Sequence, residues 1–352
     1  MKTALQIPFG LLLTACLTAS GADKRTVSPE PPPPASVETS TSTSLYANTL
    51  RIISLADGTH FVVVQRNGYA AEPHAMIGYT IDAKTHEVLR PFKLSAGLGP
   101  GVAREGTVGQ VFGAALSADQ KHLAYSGSYL DASGTVKSAI VVREGRARGN
   151  WRPVRVIHDI TGAGDIAFTS NGSILAVEFD PRRSANGSPL LVLFDSSGAR
   201  VAEFFAQEEG LDSLEGARRS VRARIQALGH DRFAFHDGVS PHVEIFKLSG
   251  RDLTENKSIA ASALANDEMV DRVRGWRVEA SGALSVVRLP AAHEGAPRAY
   301  QLVTIAPDGT VLRDDSVPPS FTKIFWENDD LWGIGGDATD LTMRYVAGAA
   351  TR

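Results

Sequence analysis

The sequence predicts an all-β protein, a six-bladed β-propeller of four-stranded blades preceded by a disordered tether. Three observations predict it. A phrase of apolar run, turn and second apolar run recurs six times between residues 51 and 334. A further β-rich run ending in a second turn follows the first five copies. Ahead of the first copy lies a tract of proline, serine and threonine with little to bury.

The six phrases are residues 51–64, 112–125, 165–177, 222–235, 275–287 and 322–334. Their turns fall at Asp57-Gly58, Asp119, Asn171-Gly172, Asp231, Ser281-Gly282 and Asp329. Asp-Gly and Asn-Gly between apolar runs signal tight hairpins, because glycine, asparagine and aspartate tolerate the left-handed backbone such turns need. Third strands are expected at 75–81, 139–143, 190–194, 243–248 and 300–305, and fourth strands in most units, as at 200–205 and 311–313. The turns recur roughly every 48 to 62 residues, and four strands at a period near 50 is the signature of a propeller blade. A pair of β-sandwiches is the alternative. The sixth unit ends near Val346 and has room for three strands. A sheet edge left open is a liability, so residues 37–47 are expected to supply the missing outer strand, unless the last blade has only three. The best helix candidate, residues 211–227, is expected to contribute a short turn before the fourth blade.

The first fifteen residues read as a signal peptide. Lys2 gives a positive start, and residues 4–13 are mostly apolar. That run is half of the roughly 20 residues a membrane-spanning helix needs, and it matches a signal-peptide core. Leu13-Thr14-Ala15-Cys16 follows and resembles the lipobox of bacterial lipoproteins. The resemblance implies that Cys16, the one cysteine of the chain, is acylated and becomes the first mature residue. The alternative is an ordinary secretory signal cut later, for example after Ala19. A lone cysteine forms no internal disulfide. As a lipid-bearing thioether it also escapes the oxidation that threatens a free exposed thiol. Residues 16–44 then form a lipid-anchored linker, with a polyproline stretch at 28–34 and a Ser/Thr tract at 37–44. Residues 45–347 are the propeller and 348–352 a tail. Leu17 after the cysteine is not the aspartate that holds some lipoproteins at the inner membrane, so the expected location is the outer membrane of a bacterial envelope.

The chain has 36 Lys and Arg against 39 Asp and Glu, a formal charge of −3. That balance gives no reason to expect a nucleic-acid partner. The expected partners are the membrane, through the anchor, and an envelope protein or an anionic small molecule.

In a propeller the loops between second and third strands and between blades share one face, and loops on a rigid scaffold carry function. Two constellations stand there. Arg218, Arg219, Arg222 and Arg224, with Arg104, Arg182 and Arg183, can form a basic rim, since arginine suits bidentate binding of carboxylate or phosphate. The other reading is surface charge paired with Glu208, Glu209, Asp212 and Glu215. His236, Asp237 and His242 can converge on a metal, or be solvated loop residues; His230-Asp231 lies in the opposite turn. Trp151, Trp276, Trp326 and Trp332 are expected between blades.

The blade pattern over residues 45–347 resembles bacterial six-bladed propellers of the NHL and gluconolactonase-like type. The resemblance implies ligand binding near the central channel and, in the gluconolactonase-like enzymes, a divalent metal held by a Glu, Asn and Asp set. That set has no counterpart in the strand pattern here, so no cofactor is assigned. The leading expectation is a lipid-anchored binding module. The alternative is a metal-assisted hydrolase or lyase using the channel.

Overall fold

The structure is a computed structural model. It describes residues 49–54, 59–65, 76–82, 88–93, 108–131, 133, 135–145, 151–178, 189–206, 223–238, 240–261, 264, 273–288, 300–316, 321–327, 330–336 and 341–348. The chain divides into two compact units, Met1–Ala35 and Ser36–Arg352. Every described residue lies in the second. Cys16, the tether and residues 37–47 lie outside the described residues.

The described part is all-β and antiparallel. Sheet 1 is β1 (Thr49–Ser54), β2 (Thr59–Gln65), β3 (Met76–Asp82) and β4 (Val88–Lys93). Sheet 2 is β5 (Val108–Leu116), β6 (His122–Leu130), β7 (Val136–Glu144) and β8 (Arg152–Ile157). Sheet 3 is β9 (Ile166–Phe168), β10 (Ile174–Val177), β11 (Pro189–Phe194) and β12 (Arg200–Ala206). Sheet 4 is β13 (Arg224–Gly229), β14 (Arg232–His236), β15 (His242–Ser249) and β16 (Asp252–Ala260). Sheet 5 is β17 (Val273–Val278), β18 (Leu284–Arg288), β19 (Gln301–Ile305) and β20 (Val311–Ser316). Sheet 6 is β21 (Phe321–Glu327), β22 (Asp330–Gly336) and β23 (Leu341–Gly348). Each sheet is a meander in sequence order. The first strands neighbour one another in the order β1, β5, β9, β13, β17, β21, and β21 also neighbours β1.

Each predicted phrase spans the first and second strands of one sheet. The turns follow the predicted chemistry where they are described. Gly172 and Gly282 have φ of 81° and 84°, and His230 and Asp231 have φ of 52° and 57°. Asn171 Oδ1 accepts the Thr169 hydroxyl at 2.6 Å and the Ser173 N–H at 3.0 Å, closing the β9–β10 turn. Of the helix candidate at 211–227, residues 224–227 belong to β13 and 211–222 lie outside the described residues. The pairing of Arg224 to Ala227 with β14 wins over any local helical tendency. Among the described residues no helix is long and apolar enough to cross a membrane.

The core is not one mass but a series of layers between successive sheets. Leu123 and Tyr125 of β6 face sheet 1, packing with Ile53 and Trp151. Ala124, between them, faces sheet 3 and packs with Ile166 and Phe194. On β10, Ile174 and Ala176 join that same layer, while Leu175 and Val177 meet Phe233, Phe235 and Phe246 of sheet 4. Alternate side chains of a strand point to opposite faces, so a strand buried on both faces reads as a continuous apolar run. Trp276 lies in the layer between sheets 4 and 5, and Trp326 packs on the layer between sheets 5 and 6.

Candidate functional site

The meander order puts the starts of the first strands and the loops between second and third strands at one end of each sheet. We call this end the leading face. The hairpin turns at Asp119, Asn171, Asp231 and Ser281 lie at the other end, the turn face. Across the turn face, the Asp231 carboxylate accepts the Ser170 N–H at 2.6 Å and the Ser170 hydroxyl, clasping sheet 4 to sheet 3.

Asp165 opens the leading end of β9 and is 5% exposed. Its Oδ2 accepts the Ile225 N–H of β13 at 3.2 Å, and its backbone oxygen accepts the Val177 N–H at 2.8 Å. On its other side Gly113 of β5 comes so close that a Cβ there would lie 2.8 Å from Asp165 Cα. One carboxylate is thus fixed among three consecutive first strands. A bare glycine makes the approach possible.

Glu178 follows β10 and is 2% exposed. It accepts the Thr161 N–H at 3.0 Å and takes both arms of the Arg200 guanidinium, at 3.0 and 2.8 Å. Arg200 also donates to Glu203 at 2.6 Å. A buried carboxylate needs such a paired and hydrogen-bonded counter-charge.

His236 ends β14 and is 4% exposed. Its Nδ1 accepts the Gly238 N–H at 3.1 Å, so Nε2 carries the proton and donates to the Ser240 carbonyl at 3.0 Å. Burial pushes the imidazole pKa below its ordinary value, and the ring stands edge-on to Trp276 at 6.2 Å. Asp237 Oδ1 accepts the Ser240 N–H at 2.7 Å. His242 begins β15, with its N–H 3.4 Å from the Ser240 hydroxyl. The three predicted residues share one loop, yet both ring nitrogens of His236 are committed to backbone groups. Among the described residues, no group of three or more His, Cys, Asp or Glu side chains could hold a metal ion.

At the leading end of sheet 2, Tyr129 is half-buried and His158 is exposed. The Tyr129 hydroxyl and His158 Nδ1 are 3.1 Å apart, with the rings edge-on. Burial, and then the charge of Asp131, raises the Tyr129 pKa. Asp131 accepts the Ser133 hydroxyl at 2.6 Å and the Ser133 and Thr135 N–H groups at 2.9 Å, which holds its carboxyl below the usual range. A hydrogen-bonded tyrosine and histidine can pass a proton between them. The buried acids and His236 are instead held by hydrogen bonds inside the fold.

Arg104, Arg182, Arg183, Arg218, Arg219 and Arg222 lie outside the described residues. Sequence reasoning passed over Asp165 and Glu178. Their signal was a single acid at the end of an apolar run, Asp165 before β9 and Glu178 after β10.

No family model and no curated protein matches the sequence. Among solved structures, the chain is similar to the periplasmic gluconolactonase of Pseudomonas aeruginosa, at 14% identity and a TM-score of 0.47 over 84% of this chain and 88% of that one. It is similar to the β-propeller domain of the Trilobed protease of Pyrococcus furiosus, at 11% identity and 0.47 over 85% and 92%. It is also similar to a luciferin-regenerating enzyme, at 10% identity and 0.48 over 86% and 92%.

Proposed function

We propose that the chain is a lipid-anchored six-bladed β-propeller of the bacterial envelope that binds a ligand or a partner protein on its leading face. The six sheets are the blades, and the neighbouring of β21 and β1 closes the ring. Cys16 carries the acyl chains, at about 0.8 kcal/mol per buried CH₂, and residues 16–44 hold the propeller off the outer membrane. Arg104, Arg182, Arg183, Arg218, Arg219 and Arg222 offer a basic rim to an anionic ligand. The observation that carries this reading is the partly exposed Tyr129–His158 pair beside Asp131 at the leading end of sheet 2. Asp165, Glu178 and His236, buried and hydrogen-bonded within the fold, hold the scaffold beneath it in one arrangement, which lowers the cost of ordering on binding.

The rival reading is a metal-assisted hydrolase or lyase working in the central channel. Asp165 favours it, as a carboxylate set among three first strands.

Native mass spectrometry of residues 37–352, made without lipid, separates the two. A bound metal, lost on Asp165→Ala, supports the enzyme. A co-purifying organic anion, lost when the six arginines become serine, supports the binding module. A bare mass directs the search to envelope proteins by cross-linking. Cys16→Ser tests the anchor: the protein should leave the membrane fraction and lose acyl label.

A further inference from the structure

His236 is the hub of the loop 237–241 that joins β14 to β15. Its ring takes the Gly238 N–H at Nδ1, at 3.1 Å, and gives the Nε2 proton to the Ser240 carbonyl, at 3.0 Å. Gly238 has a φ of 89°, a conformation that glycine adopts without strain. The loop also bonds to itself and to the chain beyond it. Asp237 Oδ1 accepts the Ser240 N–H at 2.7 Å, the Ser240 hydroxyl donates to the His242 carbonyl at 2.9 Å, and the Pro241 carbonyl accepts the Ala261 N–H at 2.7 Å.

The neutral ring can accept at one nitrogen while it donates at the other. The imidazolium cannot, because both of its nitrogens are donors. A proton added at Nδ1 would point at the Gly238 N–H, donor against donor. The ring is 4% exposed, so water does not solvate the new charge. The Trp276 ring beside it offers no acceptor either, since an indole N–H only donates and this one has no partner of its own among the described residues.

We propose that His236 is an acid-sensitive latch. Protonation releases the loop 237–241 from the end of β14 and uncovers Trp276, while sheet 4 stays paired. The pairing of β14 with β13 and β15 runs through backbone groups, and Phe233 and Phe235 hold the strand from its other side, against sheet 3. Among the described residues, three titratable or charged groups stand near the ring. Asp237, in the loop, favours the charged form. Arg224, paired with His236 across β13 and β14, opposes it. His242 begins β15 at the far end of the loop. From β17 the ring meets Trp276, and Arg277 is turned away, 4.7 Å over the Trp326 ring. The latch lies on the leading face, so acid would remodel the surface given to ligand or partner. That consequence alone rests on the binding reading.

Hydrogen exchange read by mass spectrometry tests the latch in the full chain, from pH 8 to pH 5, with each rate divided by its intrinsic value at that pH. Opening takes up one proton. Its equilibrium constant should therefore rise by up to tenfold per pH unit below the ordinary histidine pKa of about 6.5. Peptides covering residues 237–241 should lose protection to that extent, while those covering 243–249 keep theirs. His236→Gln has an amide that can donate to Ser240 and no proton to take up, so its loop should show no such pH dependence. Asp237→Asn keeps an acceptor for the Ser240 N–H and removes the charge that favours the imidazolium, so its opening should move to lower pH. Loop protection that does not change with pH overturns the proposal. So does an equal loss across 243–249, which would mean unfolding of sheet 4, or a His236→Gln loop that opens with the parent slope.

Discussion

Gly113→Ala is the sharpest test of how the first strands approach one another. The added Cβ would lie 2.8 Å from Asp165 Cα, 2.9 Å from the Ile166 nitrogen and 3.0 Å from Asp165 Oδ1. Non-bonded carbons prefer about 3.5–4.0 Å, so β5 and β9 must part by several tenths of an ångström. Two of the three obstacles are backbone atoms. They cannot swing aside, because β9 is held by β10 on one side and its leading residue by β13 on the other. Overpacking a fixed site costs about 1–3 kcal/mol, and this one belongs near the top of that range. At about 2 °C per kcal/mol in a large domain, Tm should fall by roughly 6 °C. Gly309→Ala is the control. It has nothing within 4 Å but a φ of +91°, so its cost is the left-handed backbone, about 1–2 kcal/mol. Differential scanning fluorimetry reads both. A Gly113→Ala shift below that of Gly309→Ala would refute the close approach of β5 to β9 and, with it, the fixing of Asp165.

Arg200→Met strands the Glu178 carboxylate, leaving the Thr161 N–H as its donor at 3.0 Å, and should cost about 3 kcal/mol in urea unfolding. The double variant Glu178→Gln/Arg200→Met should cost less than the sum of the two singles. His236 has a depressed pKa in the folded chain. Stability is therefore full above the ordinary histidine pKa of about 6.5. It falls as pH drops below that value, because the unfolded chain takes up the proton first, and it levels once the folded imidazole protonates. Unfolding midpoints measured from pH 8 to pH 5 should show this slope in the parent chain and a shallower one in His236→Gln. Asp231→Ala removes the clasp on Ser170 at a φ of 57° and should cost about 1–2 kcal/mol; Ser170→Ala should cost less, since the backbone donor stays.

What the sequence revealed tracks what is local. Hairpins at Asn171-Gly172 and Ser281-Gly282 were legible because turn residues declare themselves. The strands beside them were legible as short apolar runs, although β9 proves only three residues long. The direction in which each side chain faces was not. Ile174, Leu175, Ala176 and Val177 are all fully buried, so no alternation marks which of them meet sheet 2 and which sheet 4. Buried charge was invisible for the same reason. Arg143 reads as a surface residue at the end of a strand, yet it is 2% exposed. Its guanidinium lies 5.8 Å from the Tyr125 ring and donates to the Tyr125 hydroxyl and the Trp151 carbonyl, at 3.2 and 2.9 Å. The placing of Asp165 needs strands that are 52 and 60 residues away in sequence, which no local pattern encodes.

Layers that form only between successive sheets set an order on the birth of the molecule. As the chain is made from its N-terminus, each sheet gains cover for one apolar side when the next has emerged, and no distant part is needed. Protection of nascent chains from protease should therefore rise in steps of one sheet. Sheet 1 is the exception: the side that meets sheet 6 waits for the last strands to be made. The meeting of β1 with β21 is therefore the last join between sheets that synthesis makes available.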